Sequence, residues 1–338
     1  MRIVLAIAIA LAMAWSGYWF IGSSALRSEV VDWFETARSE GWMAEYGDLS
    51  VRGFPSRFDA TLTDVSLADP KSGLGWQAPF FQLLTLSYTP NHVIGVWPHR
   101  QQVQTPHDSY TLDTGDMRAS VILDASTAIS PRRITLTAKG ITLSPESREG
   151  AVSAASLRLA TQRLEDVVGT ENARYHLGLA AKDVAPPASL MVQIDEAGTV
   201  PRVIETLMAD VLVDFDVPWD RRAVEEARPQ PTRIAIKNAD IEWGTMSLGA
   251  SGVLSVDLGG RPNGTLTVKV RHWHQLLEVA TRAKWLEPDV AATFEKALSA
   301  LAGMQDNARS LEVSLRMTGG LIWIGPLPVG PAPVLHLR

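Results

Sequence analysis

Hydrophobic residues follow three different patterns along this chain, and the first is an unbroken apolar run near the N-terminus. From Ile3 to Ile21 there are 19 consecutive positions without a charged side chain. A helix rises about 1.5 Å per residue, so the run reaches roughly 28 Å, close to the thickness of the hydrocarbon core of a bilayer. The pattern predicts a transmembrane anchor over residues 1–22.

A cleaved signal peptide is the alternative, because Ala12-Met13-Ala14 has the small-x-small pattern that signal peptidase requires. We favour a retained signal anchor, since aromatic residues at the end of an apolar run are typical of a helix fixed at the membrane interface. The expected interface residues are Trp15, Tyr18, Trp19 and Phe20. A large domain after one N-terminal span is normally exported, which predicts that the rest of the chain lies outside the cytoplasm.

The second pattern has helical spacing. Between Ser24 and Gly41, apolar residues recur every three or four positions, with Ser24 placed to cap the start and Gly41 to end the helix. This predicts an amphipathic linker helix within residues 23–42. Its apolar side would contact either the bilayer surface or the sheet that follows, and we favour the sheet.

The third pattern is an alternation of apolar and polar residues in short segments broken by Gly, Pro, Asn and Asp. It predicts a mainly β body over residues 43–338, built as an elongated antiparallel sheet that is either an open groove or a closed core. The clearest hairpin is 252–270. Two consecutive helices, 275–286 and 289–304, interrupt the strands and are expected to cover the sheet or close its end.

In three segments the alternation slips by one residue, after Leu62, after Ala138 and after Ile236. Such a slip exchanges the apolar face of a regular strand, as at a β-bulge or where a strand passes between layers. The residues beyond the slips are candidates for an apolar ligand face on a second surface. They are Val65, Leu67, Ile141, Leu143, Ile241 and Trp243. The alternative, slightly favoured, is that packed layers or the two helices cover them.

Composition removes several function classes. The chain has no cysteine, which excludes disulfides, thiolate metal sites and cysteine nucleophiles. The net charge is −6, and no basic run exceeds the pairs Arg132-Arg133 and Arg221-Arg222, so nucleic acid is not an expected partner.

Candidate chemistry is sparse. His272 and His274 are two residues apart, and on a strand both imidazoles would point to one face and supply two metal ligands. A polar strand end is the favoured interpretation, because no third ligand lies nearby. Asp214, Asp216 and Asp220 are more simply an acidic turn than a cation site. We identify no catalytic motif and expect no cofactor.

Several turn and strand signatures carry a family resemblance. They are the N-terminal anchor, Gly53-Phe54-Pro55-Ser56-Arg57 before a strand ending Ala68-Asp69-Pro70, the segment from Gly252 to Gly264 leading to Leu276-Leu277, and the tail Gly325-Pro326-Leu327-Pro328-Val329-Gly330-Pro331-Ala332-Pro333. Together these resemble the bacterial domain-of-unknown-function family DUF2125, within the AsmA-like group of envelope proteins.

The resemblance implies an anchor in the bacterial inner membrane, with a single N-terminal span and a β-rich body in the periplasm. For larger members of the group, the proposed role is lipid transfer along a β-lined hydrophobic groove. No catalytic residue comes with the family.

Three functions remain open. The chain is expected to bind or handle lipid in envelope maintenance. The alternative is a non-enzymatic structural protein that interacts with other envelope proteins, and a periplasmic hydrolase is the least favoured. The expected partners are therefore the inner membrane and either lipid or envelope proteins.

Overall fold

The computed structural model describes residues 1–124, 130–146, 150–164, 173–195, 198, 200–220, 223, 228–303 and 310–337. The fold is mainly β and antiparallel, as the sequence predicts. The chain divides into two compact units. Unit 1 is Met1–Ala125 with Leu136–Glu149, and unit 2 is Ser126–Thr135 with Gly150–Arg338. The sequence pattern predicts a single β body over residues 43–338.

The helices with described bounds are α1 (Arg2–Ser39), α2 (Ala188–Ile194), α3 (Trp273–Arg282) and α4 (Pro288–Ala302). α1 joins the predicted anchor and the predicted linker helix in one continuous helix. α3 and α4 are the two helices expected within the body, shifted by a few residues from the predicted bounds. α4 begins at a proline, whose fixed φ and missing N–H suit the first turn of a helix.

The strands are β1 (Met43–Glu45), β2 (Leu49–Arg52), β3 (Arg57–Asp69), β4 (Leu74–Leu86), β5 (Thr89–Val96), β6 (Arg100–Gln104), β7 (Ser109–Asp113), β8 (Asp116–Leu123), β9 (Pro131–Pro145), β10 (Val152–Leu164), β11 (Ala173–Val184), β12 (Ile204–Phe215), β13 (Pro231–Trp243), β14 (Met246–Val256), β15 (Pro262–Arg271), β16 (Ser310–Thr318), β17 (Leu321–Ile324) and β18 (Leu327–Pro331).

Unit 1 is organised around β3. This strand pairs with β1 and β2 on one side and with β4 on the other, and β4 pairs in turn with β5 and β6. The C-terminal half of α1 packs on this sheet through Phe34 and Ala37, which are buried with Ala60, Leu62 and Val65. Packing on the sheet was the favoured expectation for the predicted linker helix, and it is confirmed for Phe34.

Unit 2 is a meander in which each strand from β10 to β18 pairs antiparallel with the next. The hairpin predicted over 252–270 is β14 and β15, with Val256 opposite Pro262. Its turn is held by Asp257, whose Oδ1 accepts hydrogen bonds from the N–H groups of Gly259 and Arg261. α3 and α4 lie between β15 and β16 in sequence.

The backbone is irregular at all three predicted slips. Asp64 and Gly140 have positive φ angles, +48° and +55°. In β13 the register shifts between Ile236 and Ala239, which confirms a β-bulge there.

The apolar side chains were expected to change to the opposite face of the strand after each slip, but in β3 and β13 they do not. Leu62 precedes the first slip and Val65 follows it, yet both belong to one core cluster, and Leu67 packs against that cluster. The expectation that Val65 and Leu67 face a second environment is therefore wrong. The left-handed conformation of Asp64 offsets the slip in the sequence, so the apolar side chains stay on one face.

β13 shows the same compensation. Through β14, Ile236 aligns with Leu266 and Ile241 aligns with Val270. Leu266 and Val270 are four residues apart on β15 and share one face of that strand. The bulge thus returns Ile241 to the face that Ile236 occupies.

Candidate ligand-binding cavities

Unit 2 contains a cavity of about 500 Å³, and the lining residues that the structure describes are all apolar. Strands β12 to β17 supply one wall, and α3, α4 and the connection between them supply the other. Cavities of roughly 300–1,000 Å³ with mainly apolar walls are typical of small-molecule sites. The cavity therefore has the size and the chemistry of a site for an apolar ligand.

The cavity follows from the amphipathic pattern of α3. Trp273, Leu276, Leu277 and Ala280 recur at helical spacing and all line the cavity. The facing strands alternate, so residues such as Val313 and Leu315 of β16 direct alternate side chains to the same space. Two apolar surfaces thus meet here without filling the space between them.

Two tryptophans in the lining are nearly fully buried. Trp243 is 3% exposed, and its indole N–H donates a hydrogen bond to the carbonyl of Pro201 at 2.6 Å. Trp273 is 2% exposed, and its indole nitrogen has no hydrogen-bond partner among the described residues. A buried donor without a partner costs about 1–3 kcal/mol, so an acceptor supplied from elsewhere would stabilise it.

The connection between α3 and α4 forms the edge of this cavity. Trp285 lies in it, lines the cavity and is 62% exposed. A large apolar side chain that contacts both cavity and solvent marks the mouth of the cavity. Leu286 beside it is half-buried.

Unit 1 contains a second cavity, of about 490 Å³. Its walls are α1 on one side and strands β3 and β4 with Trp97 on the other. The lining is mainly aromatic and aliphatic, but it includes one charged residue, Glu29. Trp97 packs here on Phe81 with ring centroids 5.0 Å apart.

The six residues predicted as a ligand face are distributed between the units. Ile241 and Trp243 line the cavity of unit 2, and Val65 and Leu67 line that of unit 1. Ile141 and Leu143 are half-buried on β9 and line neither cavity. The ligand face stays a prediction.

Sequence reasoning missed the helical half of the unit 2 site. It identified the apolar stripes of the two helices, but it predicted only that they cover the sheet or close its end, and not that they form one wall of a ligand site. The sequence feature that could have indicated this wall is the width of the apolar stripe on α3. Leu276, Leu277 and Ala280 form a stripe wider than a single row of contacts with the sheet requires.

The four predicted interface aromatics lie on one part of α1, and three of them donate hydrogen bonds to turns of unit 1. Trp15, Tyr18 and Trp19 donate hydrogen bonds to carbonyls of Pro55, Ser87 and Arg57. Trp19 is buried against Phe54 and Phe58, while Phe20 is exposed. Their role at a membrane interface stays a prediction.

The two histidines considered for metal binding do not lie on a strand. β15 ends at Arg271, His272 is the N-cap of α3 with a φ of +53°, and His274 stacks on Trp273 within the helix. The strand geometry on which that pairing depends is therefore absent. In the described parts of the chain, no group of three or more His, Cys, Asp or Glu residues is placed to hold a metal ion.

One serine and one histidine form a close pair on neighbouring strands. His92 Nε2 lies 2.8 Å from Ser120 Oγ, between β5 and β8. Among the described residues no carboxylate is hydrogen-bonded to this imidazole, so the third member of a hydrolytic triad does not stand behind it.

The strongest electrostatic feature is an ion pair in unit 2. Asp214 accepts two hydrogen bonds from Arg174, at 2.5 and 2.9 Å, and Arg233 lies 3.7 Å away. The Asp214 side chain is 11% exposed. The guanidinium of Arg174 lowers the pKa of Asp214 from its ordinary value, against the opposing effect of burial. The pair joins β11 to β12 and is structural.

α1 is the one described helix long and apolar enough to cross a membrane, a property that a signal sequence shares. Residues 19–333 match the model of a protein family described as an uncharacterised protein conserved in bacteria, DUF2125. No curated protein and no solved structure gives a match. The AsmA-like grouping stays a prediction. Because the family model covers most of the chain, the protein belongs to the DUF2125 family of bacteria.

Proposed function

We propose that this protein is a membrane-anchored lipid-binding protein of the bacterial envelope, and that it holds an acyl chain in the cavity of unit 2. The observation that carries the proposal is that every described residue in the lining of this cavity of about 500 Å³ is apolar. Water gains little in such a space, because it needs two to four polar partners to be stable there. An apolar guest is the ligand that these walls favour.

The energetics suit an acyl chain. Burial of one methylene contributes roughly 0.8 kcal/mol, so a chain that buries about ten methylenes gains about 8 kcal/mol before the cost of its immobilisation. A ligand with a long apolar body therefore fits these walls.

A retained membrane anchor would bring the protein beside a source of such ligands. α1 supplies a candidate span, and we propose that it stays attached in the inner membrane with the body in the periplasm. The resemblance to AsmA-like envelope proteins points the same way.

Lipid analysis of two matched variants tests the proposal. Ala280 lines the cavity, whereas Ala300 is exposed on α4 and does not line it. We expect acyl lipid to co-purify with the full chain in mild detergent, to persist in Ala300→Phe and to fall several-fold in Ala280→Phe, because the phenyl ring fills the cavity. Mass spectrometry of the extracted lipid measures this, and circular dichroism confirms that both variants fold.

Two results would contradict it. The wild-type chain could carry no acyl lipid, or Ala280→Phe could carry as much as the wild type. The first would favour the structural alternative, in which the chain binds envelope proteins rather than lipid.

A further inference from the structure

Two turns of unit 1 are hydrogen-bonded to the part of α1 that lies within the uncharged run. Trp15 Nε1 donates to the carbonyl of Pro55 at 2.9 Å, and Trp19 Nε1 donates to that of Arg57 at 2.7 Å. The Tyr18 hydroxyl donates to the carbonyl of Ser87 at 2.5 Å. The segment 53–57 and the β4–β5 turn are therefore fixed beside residues 15–19.

The charges on α1 set how deep these turns lie when the helix spans a bilayer. Arg2 limits the apolar segment at one end. From Ile3 to Ala14 the helix rises only about 18 Å, which is well short of the roughly 30 Å of bilayer hydrocarbon. A span must then include residues 15–21 as well, and the two turns are at the same level as those residues.

The turns present apolar side chains there. Phe54 is 53% exposed and Tyr88 is 62% exposed, and Pro55 and Leu86 are exposed beside them. We name these four residues the turn patch. Exposed aromatic residues beside a candidate span are the composition of the interfacial belts of membrane proteins.

The polar groups around the turn patch suit the same environment. The Ser87 N–H donates to the carbonyl of Ser56 at 2.9 Å, and the Arg57 N–H donates to that of Gly53 at 2.9 Å. Together with the three bonds from α1, these satisfy backbone groups that lipid would leave without partners. The half-exposed guanidinium of Arg57 lies 3.1 Å from the carboxylate of Asp59, so its charge is compensated within unit 1.

We propose that the turn patch inserts into the bilayer that holds α1, at the level of the headgroups and upper acyl chains. Unit 1 is then seated in the membrane surface. This inference rests on the anchoring part of the proposed function and does not depend on lipid binding in unit 2. The occupant of the patch is the bilayer, because the patch is continuous with the candidate span.

Single cysteines offer a direct test, since the natural chain has none. Phe54→Cys and Tyr88→Cys place a thiol in the turn patch, and Lys71→Cys is the matched control. Lys71 is exposed in the turn at the other end of β3, about 40 Å away along the strand. Each variant of the full chain is labelled with the environment-sensitive dye NBD and reconstituted in vesicles of phosphatidylethanolamine and phosphatidylglycerol.

We expect labels at positions 54 and 88 to be quenched several-fold more than the label at 71 by a nitroxide on the lipid acyl chain. The order should reverse for iodide in the buffer. If iodide reaches positions 54 and 88 as well as 71, the turn patch is in water and the proposal is wrong. Protection from both quenchers would instead indicate contact between two copies, which also overturns it.

Carbonate extraction separates this failure from failure of the anchor. Release of the unlabelled full chain at alkaline pH would defeat the anchor and, with it, the insertion of the turn patch. A chain that stays in the membrane with iodide-accessible turns would defeat only the insertion.

Discussion

Unit 1 and unit 2 each place a helical wall over an apolar sheet face, and each leaves a cavity of similar volume, about 490 and 500 Å³. The walls differ. In unit 1 the cover is α1, the candidate membrane span, and the lining includes Glu29. In unit 2 the cover is the pair α3 and α4, and none of the lining residues described there is charged.

This difference suggests separate roles for the two units, attachment to the membrane and ligand binding, which their apolar composition alone does not distinguish. α1 is fixed to the sheet of unit 1 by a core cluster around Phe34 and by hydrogen bonds to two turns. The helix that covers the unit 1 cavity is therefore part of the core of that unit. α3 and α4 cover the unit 2 cavity with Trp285 exposed at its edge. On this difference we base the proposal of attachment through unit 1 and ligand binding in unit 2.

The largest expected effect is on the core of unit 2. Trp243 is almost fully buried and donates a hydrogen bond to Pro201. Trp243→Ala should cost about 3–5 kcal/mol of stability, because it leaves a large void and an unpaired carbonyl. Hydrogen exchange should show lost protection in β12 to β16, while β3 and β4 of unit 1 keep theirs.

Trp285→Ala is the control, since this side chain is mostly exposed. It should change stability by less than about 1 kcal/mol. Equal losses in the two variants, or equal loss of protection in both units, would remove the distinction between the two cores.

A smaller effect concerns acid. The ion pair of Asp214 in unit 2 is nearly buried, whereas the Arg100–Asp113 pair of unit 1 is exposed. Because the pKa of Asp214 is lowered in the folded state, its contribution to stability is complete above the unfolded value of about 3.9 and is lost as pH falls through the lower folded value. Unit 2 should therefore lose protection from hydrogen exchange first in acid.

Asp214→Asn should cost about 1–3 kcal/mol at neutral pH, since it leaves Arg174 without its carboxylate, and it should flatten the acid dependence of unit 2. Urea unfolding at several pH values measures both effects. Asp113→Asn, in an exposed pair, should cost less than about 1 kcal/mol. An unchanged acid dependence in Asp214→Asn would show that another group controls it.

The smallest effect concerns the attachment of α1 to unit 1. Trp19→Phe keeps the aromatic contacts but removes the hydrogen bond to Arg57, which should cost about 1 kcal/mol. Hydrogen exchange around residues 53–57 should quicken, with unit 2 unchanged. Trp15→Phe removes a more exposed bond and should do less. No change in either variant would mean that packing alone fixes the turns.

The fold class, the hairpin at 252–270 and the helices at its C-terminal side could be predicted from sequence, because alternation and helical spacing are local signals. The face on which the apolar residues beyond the slips lie could not be predicted from sequence. The position of Val65 depends on the left-handed backbone of Asp64, and that of Ile241 depends on a bulge between Ile236 and Ala239. The irregular backbone offsets the effect of the sequence slip on the face that these side chains occupy. The slip can be identified in the sequence, whereas the backbone irregularity appears only in the folded structure.

The candidate site was predictable in part for a related reason. Trp243 and Ile241 were identified from the strand pattern, whereas the cavity requires α3 to stand over them. The distance between a helix and a sheet depends on the sizes of side chains that are distant in sequence. That distance, and with it the presence of a cavity, cannot be predicted from the pattern of a single sequence.

The central claim is that an acyl chain occupies the cavity of unit 2 rather than that of unit 1. The most direct measurement is photo-crosslinking of the membrane-embedded full chain to a phospholipid with a diazirine on its acyl chain, with the sites mapped by mass spectrometry. The account predicts adducts on α3, α4 and the facing strands, with strong reduction in Ala280→Phe but not in Ala300→Phe. Adducts confined to α1 and the unit 1 cavity would contradict it.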